Sequence, residues 1–178
     1  MSENLFAEKA RQMRESFDRA FALPAQYTDT AIENLLLIKT GTDPYGIKIA
    51  EIAGLFCDKK IEPVPSPYRA FLGLAGVKGS VVPVWDLGEL LGNGAAPNKP
   101  RWFVIVAGTP AWALGFTDFE GCIKIPRSDL CPMPGQRASH LPETCRMAGG
   151  ARPVLSLPSL KEVVQAYFQS PDKRRQTS

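Results

Sequence analysis

Lys78-Gly79-Ser80-Val81-Val82-Pro83-Val84-Trp85-Asp86-Leu87-Gly88-Glu89-Leu90 carries both a hairpin signal and one half of an internal repeat. Its first half reads as a hairpin: Lys78-Gly79 is a tight turn between Phe71–Val77 and Ser80–Trp85, two short apolar runs of strand type. Its second half has an echo. Pro83-Val84-Trp85-Asp86-Leu87-Gly88-Glu89-Leu90 aligns with Pro153-Val154-Leu155-Ser156-Leu157-Pro158-Ser159-Leu160, with Pro, Val, Leu and Leu matching at a constant offset of 70. Upstream, Gly46 and Glu51 match Gly115 and Glu120 at an offset of 69. Self-similarity at a fixed spacing marks a duplicated unit. Each copy reads as strand, acidic turn, loop and Pro-Val strand. Two lobes of short strands cannot each enclose a large core, so they are expected to share an apolar seam. A seam between two lobes is a natural place for a partner.

The same pattern recurs on either side of this stretch. Asn34–Lys39 and Tyr45–Ile49 flank a turn at Gly41-Thr42-Asp43-Pro44, and Trp102–Ala107 and Trp112–Thr117 flank Gly108-Thr109-Pro110. Pro63, Pro65 and Pro67 define an extended loop, and Met133–Gly150 reads as the longest loop. Short strands at this spacing predict a barrel or sandwich rather than a βαβ fold. A helix is expected at each end. In residues 3–23, Phe6, Ala10, Met13, Phe17 and Ala20 form one apolar stripe, which Pro24 ends. Near the C-terminus, Ser159-Leu160-Lys161-Glu162 has the form of a capping box, and Leu160, Val163, Val164, Tyr167 and Phe168 form the apolar face. The N-terminal stripe fits packing on the body, or an autonomous docking or dimerisation arm.

Composition narrows the function by exclusion. The chain has 178 residues, enough for one domain or two joined lobes, with 44% hydrophobic and 22% charged residues. Its apolar runs, such as Leu35–Ile38 and Phe103–Ala107, fall far short of the ~20 residues of a membrane span. The N-terminus has no signal-peptide pattern, so a cytoplasmic protein is expected. Cys57, Cys122, Cys131 and Cys145 lack C-x-x-C spacing, and His140 is the single histidine, so neither a zinc site nor a disulfide framework is expected. No G-x-S-x-G or G-x-x-x-x-G-K-[ST] motif is present. Gly73–Gly79 is glycine-rich, but its spacing suits a tight turn, not a phosphate. Asp86 reads as a surface acid or as a turn-capping acid that accepts backbone N–H bonds, and not as a catalytic one. The net charge of +3 is concentrated towards the C-terminus, where Lys173-Arg174-Arg175 forms a basic tail over residues 169–178. The reading is a binding module that is not an enzyme and takes no cofactor or metal. The alternative is a small barrel that binds nucleic acid through Arg101-Trp102, Arg127 and Arg137, although these residues are scattered.

Tyr45-Gly46-Ile47-Lys48-Ile49, Ile61-Glu62-Pro63-Val64-Pro65, Phe71-Leu72-Gly73 and the run Lys78–Leu87 together resemble the signature of the CheW-like chemotaxis coupling domain. Leu114-Gly115-Phe116-Thr117-Asp118-Phe119-Glu120-Gly121 resembles that family's second lobe. The resemblance covers residues 30–168, with the N-terminal helix (1–24) outside the minimal domain. It implies a mainly all-β fold of two interlocked five-stranded SH3-like β-barrels. It also implies a non-catalytic adaptor that couples a chemoreceptor cytoplasmic tip to a CheA-type histidine kinase, through that kinase's own CheW-like regulatory domain, at membrane-associated arrays. Neither nucleic acid nor membrane insertion is implied. Carried over position by position, the partner-binding residues are Ile52, Gly54, Gly73, Gly76, Lys78, Gly79, Gly115 and Phe119. The departures lie among them. Gly76 stands for an Asn and Lys78 for an Arg, which removes a planar bidentate donor. Gly54 replaces a commonly acidic residue, and Ser156 is the second-lobe counterpart of Asp86.

Overall fold

The computed structural model describes residues 31–94, 99–133 and 140–169. The helix expected over residues 1–24 and the tail from residue 170 lie outside the described residues. Twelve strands are described: β1 Ile32–Thr40, β2 Asp43–Lys48, β3 Ile52–Cys57, β4 Ile61–Glu62, β5 Phe71–Val77, β6 Ser80–Asp86, β7 Trp102–Val106, β8 Trp112–Phe116, β9 Asp118–Pro126, β10 Leu130–Pro132, β11 Glu143–Met147 and β12 Gly150–Leu155. The helices are α1 (Leu87–Leu90) and α2 (Leu157–Gln169), with short 3₁₀ turns η1 at Ile49–Glu51 and η2 at Arg127–Asp129.

The strands form two six-stranded sheets, β9-β1-β2-β12-β11-β10 and β3-β7-β8-β6-β5-β4. Written this way, the two orders are the same order with the two halves of the chain exchanged. Each half leaves its first hairpin in one sheet and sends its next four strands into the other. This is the interlock, and it is mainly all-β as expected. The sixth strand of each sheet is a short one, β4 or β10, beyond the expected five. The duplication also holds at the level of single hydrogen bonds. Asp86 N–H donates to Ala70 O at 2.7 Å, and Ser156 N–H donates to His140 O at 2.9 Å, so donor and acceptor are both displaced by 70.

Three apolar clusters explain why the hairpins read as unbroken hydrophobic runs. On β1, Leu35 and Leu37 fill the first lobe with Cys145 and Val154, while Leu36 and Ile38 face the seam. On β7 and β8, Phe103 and Ala113 fill the second lobe with Val82 and Val84, while Val104, Val106, Trp112, Leu114 and Phe116 face the seam. A strand buried on both faces loses its polar alternation. The expected shared seam is therefore present, and it is the largest of the three clusters. Trp85 lies in it at 1% exposure, and its ring lies 5.1 Å from that of Phe71 and 5.7 Å from that of Tyr167. The Tyr68 hydroxyl donates to Tyr167 O at 2.6 Å, which satisfies a carbonyl in the last turns of α2.

Two local expectations change. The helix α2 begins at Leu157, so its cap is Ser156, whose Oγ accepts from Ser159 N–H at 3.4 Å, and the expected box at Ser159 is not used. Leu157 and Leu160 are both fully buried, which requires the helix to start before Ser159, and Pro158 fits a first turn whose N–H groups have no partner in the helix. Met133–Gly150 is not one loop, because β11 runs through it. Cys145 at its centre is fully buried, and β11 pairs with both β10 and β12. The short polar residues around Cys145 hid a strand whose inward position is a thiol.

Asp86 caps as read. Its Oδ1 accepts from Glu89 N–H at 2.9 Å, at 4% exposure. Burial raises its pKa, with the backbone N–H groups of Glu89 and Gly88 opposing. Ser156, the repeat counterpart of Asp86, makes the same cap with a neutral hydroxyl. Asp86→Ser is therefore expected to stay within ~0.5 kcal/mol of wild type, while Asp86→Ala costs ~1 kcal/mol or more, as measured by urea denaturation.

Candidate partner-binding site

The two-residue turn Lys78-Gly79 joins Val77 to Ser80 with φ of 48° and 79°. Both residues are left-handed, which gives the primed turn whose twist matches a hairpin. Glycine takes this conformation freely, whereas lysine does so less readily. Lys78, Gly79 and Gly76 are all exposed at this hairpin tip. Among the described residues Lys78 makes no ion pair, unlike Lys39, Lys48, Lys60, Arg101, Arg127 and Arg152.

Ile52 and Phe119 both lie on the seam, Ile52 opposite Val106 at one end of β7 and Phe119 against Trp102 at the other. Each is half-buried and packs on the central cluster, and the Phe119 ring lies 5.2 Å from that of Trp102, so a β9 residue touches a β7 residue across the lobes. Gly54 follows a register shift in β3. A Cβ there would lie 2.8 Å from Cε2 of Phe56, whose ring stacks on Phe103 at 5.6 Å. An aromatic side chain thus fills the space beside position 54. Gly73 and Gly115 are buried and present no surface of their own. A Cβ on Gly115 would press on Pro100 at 3.0 Å and Leu72 at 3.2 Å. The eight positions therefore divide into an exposed tip (Gly76, Lys78, Gly79), two separate half-buried seam residues (Ile52 and Phe119), Gly54 beside Phe56, and two wall glycines.

Several other charged groups are paired. Arg101 donates to both carboxylate oxygens of Asp58, at 3.0 and 2.9 Å. That guanidinium, helped by the Cys57 thiol, holds the Asp58 carboxyl down at about 2. Arg127 reaches Glu33 at 3.4 Å, and Trp102 is taken up by the seam. Arg137 lies outside the described residues. The described groups named for nucleic acid thus face carboxylates or the core, and the basic groove that reading needs is not formed by them. A separate apolar hollow of about 640 Å³ lies between β6 and α2, with Val81, Pro83, Trp112 and Val164 among its lining residues.

The CheW-like domain model matches residues 34–165, so both lobes fall inside the match. The chain belongs to the CheW-like domain family. Among solved structures it is similar to the crystal structure of scaffolding protein TtCheW from Thermoanaerobacter tengcongensis, with a TM-score of 0.60 and 16% sequence identity over 70% of this chain and 88% of that one. At that identity the likeness speaks for the fold. No curated protein matches the chain. Chemotaxis scaffolding is thus the class of function in which the chain stands.

Two features of the site were not legible as function in the sequence. Glu51, whose carboxylate accepts from Leu157 N–H at 2.9 Å, stood out only as a repeat match to Glu120, and nothing in its neighbours announced a partner 106 residues away. The Asp58–Arg101 pair carried no spacing signal, because β3 and β7 meet only through the interlock.

Proposed function

We propose that this chain is a non-catalytic adaptor that couples a chemoreceptor-like protein to a CheA-type histidine kinase on the cytoplasmic side of the membrane. The observation that carries the proposal is a family match that spans both interlocked lobes. Partner recognition then has three parts. Ile52 and Phe119 supply apolar contact at two points along the seam, Lys78 at the tip supplies a free charge for register, and Gly73 and Gly115 shape the walls. The receptor side is a helical hairpin laid along the seam, and the kinase side is the kinase's own barrel domain. No described helix is long and apolar enough to cross a membrane, so attachment to an array would come through these partners.

Lys78→Glu tests the receptor side. Reversing an exposed, unpaired charge at an interface is expected to weaken binding to a receptor-tip fragment about tenfold, mostly through a slower on-rate at low salt. The melting temperature should move by no more than ~2 °C, since an exposed charge contributes little to folding. Unchanged binding would remove Lys78 from the site.

A further inference from the structure

Glu51 stands where the chain leaves one lobe for the other. β2 ends at Lys48 in the first sheet, β3 begins at Ile52 in the second, and η1 is the whole connection. The Glu51 carbonyl accepts from Ala107 N–H at 2.9 Å, just past the end of β7. Its carboxylate accepts from Leu157 N–H at 2.9 Å, at the first residue of α2. The other crossing, from β8 to β9, is pinned in the matching place. There Thr117 donates its N–H and its hydroxyl to Lys39 O at 3.1 and 3.0 Å, and Gly41 N–H donates to Thr117 Oγ1 at 3.1 Å. Each crossing is thus tied to the far end of the other half's first hairpin. Glu120, the repeat match of Glu51, lies just beyond the second crossing and pairs with Lys39 at 2.8 Å and with Arg152. The carboxylate of Glu51 alone of the two acids reaches a helix.

We infer that Glu51 is a positioning residue for the partner site: its carboxylate locks the crossing segment to the N-terminus of α2 and so sets where Ile52 and the adjoining seam stand. The lock itself needs only the geometry, whereas its effect on a receptor rests on the proposed function. A first-turn N–H of a helix has no partner within the helix, and an anion there is favoured by the aligned backbone dipoles. Against this, the carboxylate is half-buried. Burial is the main cause that raises its pKa; the Leu157 N–H and Lys48 on β2 oppose the rise, while Glu143 on β11 and Glu33 on β1 add to it. Because the folded pKa is the higher one, Glu51 favours the fold at low pH, and that contribution is lost as pH rises through the folded value. At neutral pH the ionised group is therefore held at some cost to stability, which suits a residue kept for position.

The test uses the full ¹⁵N-labelled chain as wild type, Glu51→Gln and Glu51→Ala. Glu51→Ala should speed hydrogen exchange at Leu157 at least tenfold, move the Ile52 amide resonance, and weaken receptor-tip binding severalfold. Glu51→Gln keeps an acceptor, so it should restore all three and melt no lower than wild type. The wild-type Leu157 amide should titrate with a midpoint above the ordinary Glu range, and in Glu51→Gln it should not titrate. The inference is overturned if Glu51→Ala leaves Leu157 exchange and the Ile52 resonance unchanged, or if it frees Leu157 yet binds receptor as wild type does. A Leu157 amide that titrates alike in wild type and Glu51→Gln also overturns it, and that comparison stands even if Glu51→Ala fails to fold. If wild type binds no receptor tip, the proposed function falls while exchange and titration still decide the lock.

Discussion

Gly73→Ala should destabilise the protein by at least ~3 kcal/mol, among the largest effects of any single added methyl group here. Two causes act at once. Gly73 has φ of 133°, a conformation that side chains rarely adopt, and it sits at a register shift in the β5–β6 pair. A Cβ there would lie 2.1 Å from Glu62 O and 2.9 Å from Cα of Pro63, both backbone atoms. No rotamer can relieve that contact, so β4 must lift from β5. Gly76→Ala, three residues along the same strand, is the control. It meets nothing within 4 Å and should stay within ~0.5 kcal/mol of wild type. Urea denaturation of the two variants measures the contrast directly. The result bears on function, because loss of partner binding in a Gly73 variant would follow from a displaced β4, whereas loss in a Gly76 variant would report on the surface itself.

Trp85→Ala should cost ~3–5 kcal/mol, the usual range for truncating a large buried aromatic side chain. For a chain of this size that lowers the melting temperature by roughly 6–20 °C. The reason is location. Trp85 is at the centre of the seam, and it stacks on Tyr167 with the planes 10° apart. Truncation opens a cavity between the lobes and also removes the ring that holds the last turns of α2. Differential scanning calorimetry should show the lower melting temperature, with hydrogen exchange faster along α2 than in the interior of either lobe. A melting temperature within 2 °C of wild type would mean that the seam does not hold the lobes together.

These residues also show how far the sequence could be read. Lys78-Gly79, Asp86 and the Pro-Val echo were legible because their signals are local: turn chemistry, an N-cap, a fixed offset. The seam followed from the same echo, since two small lobes need a common core. The exchange of hairpins between sheets was not legible in the residues themselves. Leu35–Ile38 reads the same whether its partner is β3 or β9, and only the pairing of β1 with Cys122 and its neighbours on β9 settles it. Cys145 hid β11 because a lone thiol among polar residues carries no period. Gly73 and Gly115 were marked as site positions, but the reason they are glycine, a backbone carbonyl in one case and Pro100 in the other, lies in chain segments that only the fold brings near.

The most direct test of the adaptor reading is titration calorimetry of the intact chain against the CheW-like regulatory domain of a CheA-type kinase from the same genome, with a receptor-tip fragment titrated in parallel. Saturable one-to-one binding to the kinase domain is expected, with a dissociation constant below ~100 μM, as befits a standard barrel-to-barrel interface. No binding to either partner at that concentration would contradict it.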